Sequence, residues 1–235
     1  MIKMTILAGR KPGLTHAEFR RYVTEVHGPL VRSVTEVAAD IRHYHYNFPL
    51  AGAADLAFGH PLADQLDIVT QGWFDSVAAQ LANMRHPRYL AIVRPDEGRF
   101  ADESRAVMHY MTETRILDAP RPAYKALYFR RRRADLTRAA FQDAWRQRFA
   151  PAMAAIAGGA QGYVQNHAAS EAEHPDGANL KYFDVIDEIG LADPAALASL
   201  GADATAVARL RSLEAELLDT TRTRALVTEP IVNIP

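Results

Sequence analysis

The chain has 235 residues, of which 49% are apolar and 23% charged, with a formal net charge of −1. That balance supplies a core for one large or two small soluble domains and offers no nucleic-acid surface and no membrane-binding patch. There is no cysteine, which excludes disulfides, thiolate metal sites and cysteine nucleophiles and fits a reducing compartment.

The opening "MIKMTILAGRKPG" carries too short an apolar run for a signal peptide. No window approaches the roughly 20 apolar residues that span a bilayer. A cytoplasmic protein is expected. The first predicted element is a strand, "KMTILAG" from Lys3, rich in β-branched residues. Thr15 then caps a helix, with Glu18 completing a capping box and Phe19, Tyr22, Val23, Val26 and Leu30 at helical spacing. Gly28 and Pro29 are expected to end or redirect that helix just after His27. "IRHYHYNF", from Ile41, predicts a second strand. A long loop, Pro49 to Gln65, follows, then a strand at "DIVTQGWF", a helix at "SVAAQLANM" and a last strand at "RAVMHYMTETRIL".

After "DAPRPA", Asp118 to Ala123, a proline-rich linker, the same order starts again. "KALYFRRRRADLTRAAFQDAWRQRFAP" lies under "KMTILAGRKPGLTHAEFRRYVTEVHGP" without a gap: Lys3, Arg10, Leu14, Thr15, Phe19 and Pro29 meet Lys125, Arg132, Leu136, Thr137, Phe141 and Pro151. Tyr44 and Asn47 meet Tyr163 and Asn166, and Met111–Glu113 meets Val227–Glu229. Later strands are expected at "GYVQNHA", "YFDVIDEIG" and "RALVTEPIVNI", with helices at "PAALASL" and Asp203–Leu218. Each half reads strand–helix–strand–strand–helix–strand, the ferredoxin-like pattern. Its sheet leaves one face bare, and soluble proteins do not expose such a patch. The fold class is therefore α+β: two ferredoxin-like repeats, residues 1–118 and 119–235, closing into a pseudo-twofold α+β barrel. An apolar hollow is expected where the two sheets meet, with His27 at its wall.

The run "RKPGLT…F…Y…HGP", with "IRHY" after it and "RPDEGRF" before the last strand, resembles the EthD domain of the dimeric α+β barrel superfamily. The second half keeps the pattern but has "RRAD" for "RKPG" and "FAP" for "HGP", so it resembles a degenerate copy. The resemblance implies a cavity between sheet and first helix near His27. It also implies chemistry of the kind found in the superfamily: lactone isomerases, polyketide cyclases, dehydratases, cofactor-free monooxygenases and some haem proteins.

His27 is the leading catalytic candidate, because an imidazole moves protons near neutral pH; the competing role is closure of a helix end. Phe149 stands at its place in the second half. Tyr44 is the second catalytic candidate, a phenol that hydrogen-bonds a substrate carbonyl, with a core tyrosine as the competing role. Strand alternation puts His43, His45 and Asn47 on one face and Tyr44 and Tyr46 on the other. His45, Asn47 and Tyr46 are candidate substrate-binding residues, as are Phe58 on the long loop and Arg130 in the basic run "FRRRR". His43 and His45, with His109 or Glu113, make a weak metal constellation without a spacing signature, and no metal is assigned. Trp73 and Trp145 read as core. No phosphate loop, dinucleotide fingerprint or nucleophile elbow is present, so no cofactor is expected.

The expected function is a cofactor-independent, dehydratase-like lyase or isomerase, acting by acid–base chemistry on a small hydrophobic ring or carbonyl compound. The alternatives are a cofactor-free monooxygenase of phenols or anthrones, a haem-binding barrel, and a non-catalytic binder. The expected partner is a small hydrophobic or aromatic substrate, with neither nucleic acid nor membrane, and a homodimer is possible.

Overall fold

The computed structural model describes residues 1–52, 63, 65–118, 121–157, 160–169, 182–200 and 202–235, the side chains of 198 and 199 excepted. Phe58 and most of the long loop lie outside the described residues.

Eight strands form one closed antiparallel barrel: β1 (Ile2–Ala8), β2 (His43–Pro49), β3 (Ile68–Phe74), β4 (Val107–Leu117), β5 (Tyr124–Arg130), β6 (Tyr163–Ala168), β7 (Val185–Leu191) and β8 (Arg224–Ile234). The order around the barrel is β1-β3-β2-β8-β5-β7-β6-β4. Each half is thus the ferredoxin-like 4-1-3-2 sheet. The halves join where β2 pairs β8 and β4 pairs β6, so no strand edge is left unpaired. The repeat register holds for the first three strands, since Lys3 opposes Trp73 and Lys125 opposes Gly190. On the last strands it shifts by one. Lys3 opposes Met111 whereas Lys125 opposes Thr228, so the counterpart of Met111 is Thr228 and not Val227. A one-residue slip changes the face of every side chain: Glu113 reaches Lys3 inside the barrel, while Glu229 pairs with Arg20 outside it.

The barrel interior differs from the apolar hollow expected. One end is packed solid with Leu7, Val69, Met111, Leu127, Phe129, Ile186 and Leu226. The other holds buried charge: Lys3 lies 2.8 Å and Lys125 3.0 Å from Glu188. The reason is the alternation itself. Inward positions of β1, β3 and their counterparts carry lysine, glutamine and glutamate, and outward ones carry the apolar residues that meet the helices.

Those helices are α1 (His16–Tyr22), α2 (Gly28–Ser33), α3 (Thr35–Ala38), α4 (Val77–Arg85) and α5 (Arg94–Phe100) in the first half. The second half has α6 (Arg138–Ala144), α7 (Ala150–Ile156), α8 (Ala196–Leu200) and α9 (Ala204–Leu217). Thr15 and Thr137 cap α1 and α6 as predicted, Thr15 within a full capping box. The chain does not stop at Gly28–Pro29. It passes through a wide π turn, Val23–His27, directly into α2. The same device occurs at Tyr89–Val93 before Pro95 and at Trp145–Phe149 before Pro151. Proline lacks an N–H, and its ring clashes with the carbonyl four residues back. In each case a proline stands two residues beyond a turn whose bonds run five residues back: Gly28 N–H donates to Val23, Arg94 to Tyr89, Ala150 to Trp145. Gly28 has a further constraint. A Cβ there would lie 2.8 Å from Asn233 Oδ1, so the glycine admits the end of β8.

Candidate active site in the first half

The outward face of the first sheet and its helices enclose a cavity of about 350 Å3. Met4, Ile6 and Ala8 of β1, Tyr44 and Tyr46 of β2, and Ile68, Thr70 and Phe74 of β3 make the sheet wall; His27, Val31, Tyr89, Glu97 and Phe100 stand on the helix side. The volume sits at the lower end of small-molecule sites, enough for a compound of one to three fused rings.

The wide turn carries His27 off the helix axis and onto the cavity wall, 4% exposed. Its Nδ1 lies 3.0 Å from Asp96 Oδ2 on α5, and the Tyr22 hydroxyl donates to Asp96 Oδ1 at 2.6 Å. A carboxylate only accepts, so the ring proton sits on Nδ1 and Nε2 keeps its lone pair. Phe100 packs on the ring at 4.6 Å. Burial lowers the His27 pKa below its ordinary value, against the pull of Asp96. The imidazole is therefore neutral at neutral pH, with Nε2 left as a proton acceptor.

Glu97, the next residue of α5, also reaches the cavity. It accepts from the Tyr89 hydroxyl at 2.6 Å and pairs with Arg94 at 3.1 Å. Burial raises its pKa above the usual carboxylate range. The Tyr44 hydroxyl makes no hydrogen bond to any described residue, and burial raises its pKa, so it stays protonated and free to donate. The Tyr46 hydroxyl accepts weakly from Asn233 at 3.4 Å.

The structure thus brings His27, Tyr44 and Tyr46 to one cavity and separates them from the other candidates. His45 and Asn47 face the barrel interior, on the far side of the sheet from His27, as alternation requires. Asn47 Nδ2 donates to the Val69 carbonyl and to Gln71; Asn166 repeats both contacts with Ile186 and Glu188. The recurring asparagine therefore serves the barrel. Arg130 contacts no cavity ligand position: it is buried in the second half, 2.8 Å from Asp187 and 2.6 Å from Glu214. It does hold carboxylates, but the protein's own. Among the described residues no group of three or more metal-ligating side chains converges. Asp96, Glu97 and Tyr89 were not singled out from sequence. The run "RPDEGRF" carries the family resemblance, but its helix and its approach to His27 across 69 residues are tertiary facts.

In the second half the same space is filled. Trp145 takes the position of Val23 and Phe149 that of His27, their rings stacked 3.7 Å apart. Arg130 takes the position of Ala8, its guanidinium 5.0 to 5.2 Å from the rings of Tyr128, Phe149 and Trp145. Asp187, at the place of Thr70, is pushed by burial up to about 6 despite Arg130. About 10 Å3 of space remains.

Fold and cavity define an α+β barrel of two fused ferredoxin-like halves, with an open pocket between sheet and helices in the first half. Residues 11–104 and 133–221 match the EthD domain, and the chain belongs to that family. It is 33% identical over 114 residues, 46% of this chain and 79% of the relative, to the conidial pigment biosynthesis dehydratase EthD of Metarhizium robertsii. It is 29% identical over 112 residues, 46% of this chain and 74% of the relative, to the dehydratase aurZ of Gibberella zeae. Both are thus matched over about half of this chain. An anthrone oxidase-like protein of known structure superposes with a TM-score of 0.55 at 11% identity, covering 98% of this chain and 90% of that one; at that identity the likeness concerns the fold. No described helix is long and apolar enough to cross a membrane.

Proposed function

We propose that the first-half cavity catalyses a dehydration, the loss of water from a small cyclic β-hydroxy carbonyl compound, without a cofactor. The observation that carries this reading is the buried His27, its Nδ1 held by Asp96 and its Nε2 available at the wall of an apolar cavity. The dehydratase names of the relatives support the reaction class.

His27 Nε2 removes the proton α to the carbonyl. The electron pair of that C–H bond moves to the carbonyl oxygen, and the resulting oxyanion receives a hydrogen bond from the Tyr44 hydroxyl, strengthened by the dry surroundings. The β carbon–oxygen bond then breaks as the carbonyl re-forms, and the departing hydroxide takes from the imidazolium the proton that His27 removed, which restores the base. Water leaves, and the ring gains a double bond. Asp96 stabilises the imidazolium and fixes the tautomer, as orienting carboxylates do.

The test uses a β-hydroxy tetralone, whose dehydration yields a naphthol that absorbs in the near ultraviolet. The wild-type protein should form naphthol with turnover, and His27→Gln should not. Oxygen uptake recorded in the same cuvette separates the two main readings: naphthol without oxygen consumption supports dehydration, and oxygen consumption without water loss supports a monooxygenase.

A further inference from the structure

We propose that the polar end of the barrel is a second ligand site, separate from the His27 cavity, that takes a small aromatic carboxylate. A pocket of about 290 Å3 opens there, where equivalent strand positions of the two halves meet. Its floor is the ion network of Lys3, Lys125, Glu113 and Glu188. The side chains of Lys3, Glu188 and Lys125 are 1%, 6% and 11% exposed. Desolvating such a group is costly, and an apolar filling like that of the opposite end is often more stable. Charge kept at the bottom of a pocket is a mark of binding sites.

The two halves differ in a way that shapes the pocket. Trp73 stands on one side, with Lys3 Nζ 4.6 Å from its ring and the His45 ring 4.9 Å away. Its counterpart in the other half is Gly190, against which Pro122 of the linker packs. The wall is therefore flat and aromatic on one side, with Leu117, Pro230 and Val232 completing an apolar rim. Cations outnumber carboxylates among the lining side chains: Lys3, Lys125, Arg115 and Arg121 against Glu113, Glu188 and Asp118. Arg121 has no ion-pair partner among the described residues. Burial and Lys125 lower His45 to about 4, so its ring is neutral and offers one donor and one acceptor. It hydrogen-bonds no described residue. A planar body against Trp73 and His45, with its carboxylate toward Lys125 and Arg121, satisfies all of these features.

Isothermal titration of the full-length protein with benzoate, and with the neutral benzamide, tests the proposal. Benzoate should bind saturably at one site per chain, and benzamide about tenfold or more weaker, as the loss of a charge-assisted contact implies. Lys125→Met should weaken benzoate binding. So should Arg121→Ala, an exposed position whose change leaves the fold intact. His27→Gln should leave binding unchanged, which keeps this result independent of the first cavity. Absence of saturable binding, equal binding of benzamide, indifference to Arg121→Ala, or loss of binding in His27→Gln would each overturn it.

Discussion

The two halves of this barrel share a backbone plan and diverge in the side chains of the helix–sheet layer. Val23, His27, Ala8 and Thr70 leave a cavity with an imidazole at its wall; Trp145, Phe149, Arg130 and Asp187 fill the same volume with stacked rings and an ion pair. The wide turn and its proline occur in both halves, so they belong to the fold. The histidine occurs in one, and there it touches Asp96 and empty space. The first half keeps an open cavity where the second is packed.

The largest expected effect concerns the base. His27→Gln keeps a donor for Asp96 but no proton acceptor of suitable strength, and naphthol formation should fall by about 10² to 10⁴, with the melting temperature little changed. The second concerns the filled half. Arg130→Met removes the cation beside the buried Asp187, while Glu214 keeps Arg211, and should cost about 3–5 kcal/mol, read from urea midpoints. A similar loss follows Trp145→Ala, which opens a hole in a fully buried stack. Placing a histidine at Phe149 should gain no activity, because Trp145 and Arg130 still occupy the room.

A smaller effect separates positioning from packing. Asp96→Asn should lower kcat/KM about 10- to 100-fold and move the acid limb of the pH profile to lower pH. The sign follows from Asp96, which favours the imidazolium; without it burial alone acts on His27. An unmoved limb would assign Asp96 to packing. The smallest effect is on acid stability. Burial lowers His167 to about 3, so below its unfolded value of about 6.5 the unfolded chain takes up a proton that the fold refuses. Stability is complete above that pH and declines as pH falls. His167→Phe, copying Phe48 of the other half, should make the decline shallower in urea titrations between neutrality and about pH 4.

Much of this was legible in the residues. The gapless match of residues 3–29 with 125–151, the capping threonines and the alternation of "RHYHYN" give the barrel and place Tyr44 and His45 on opposite faces. Alternation alone does not say which face meets helices and which meets the other half, so His45 and Asn47 read as neighbours of His27. A π turn has no sequence mark except the proline after it, and that proline reads as a stop. Arg130 reads as a substrate-binding candidate because nothing local reveals Asp187 and Glu214, brought together from β7 and α9. The shared "TE" of the last strands suggests a register that the ladders do not keep, since Lys3 opposes Met111 but Lys125 opposes Thr228.

The most direct measurement copies the closed half into the open one. Val23→Trp puts the second half's tryptophan into the first cavity while leaving His27, Asp96 and the barrel in place. With the β-hydroxy tetralone as substrate, this variant should be folded and as inactive as His27→Gln. Undiminished naphthol formation by a folded Val23→Trp protein would show that the reaction takes place elsewhere.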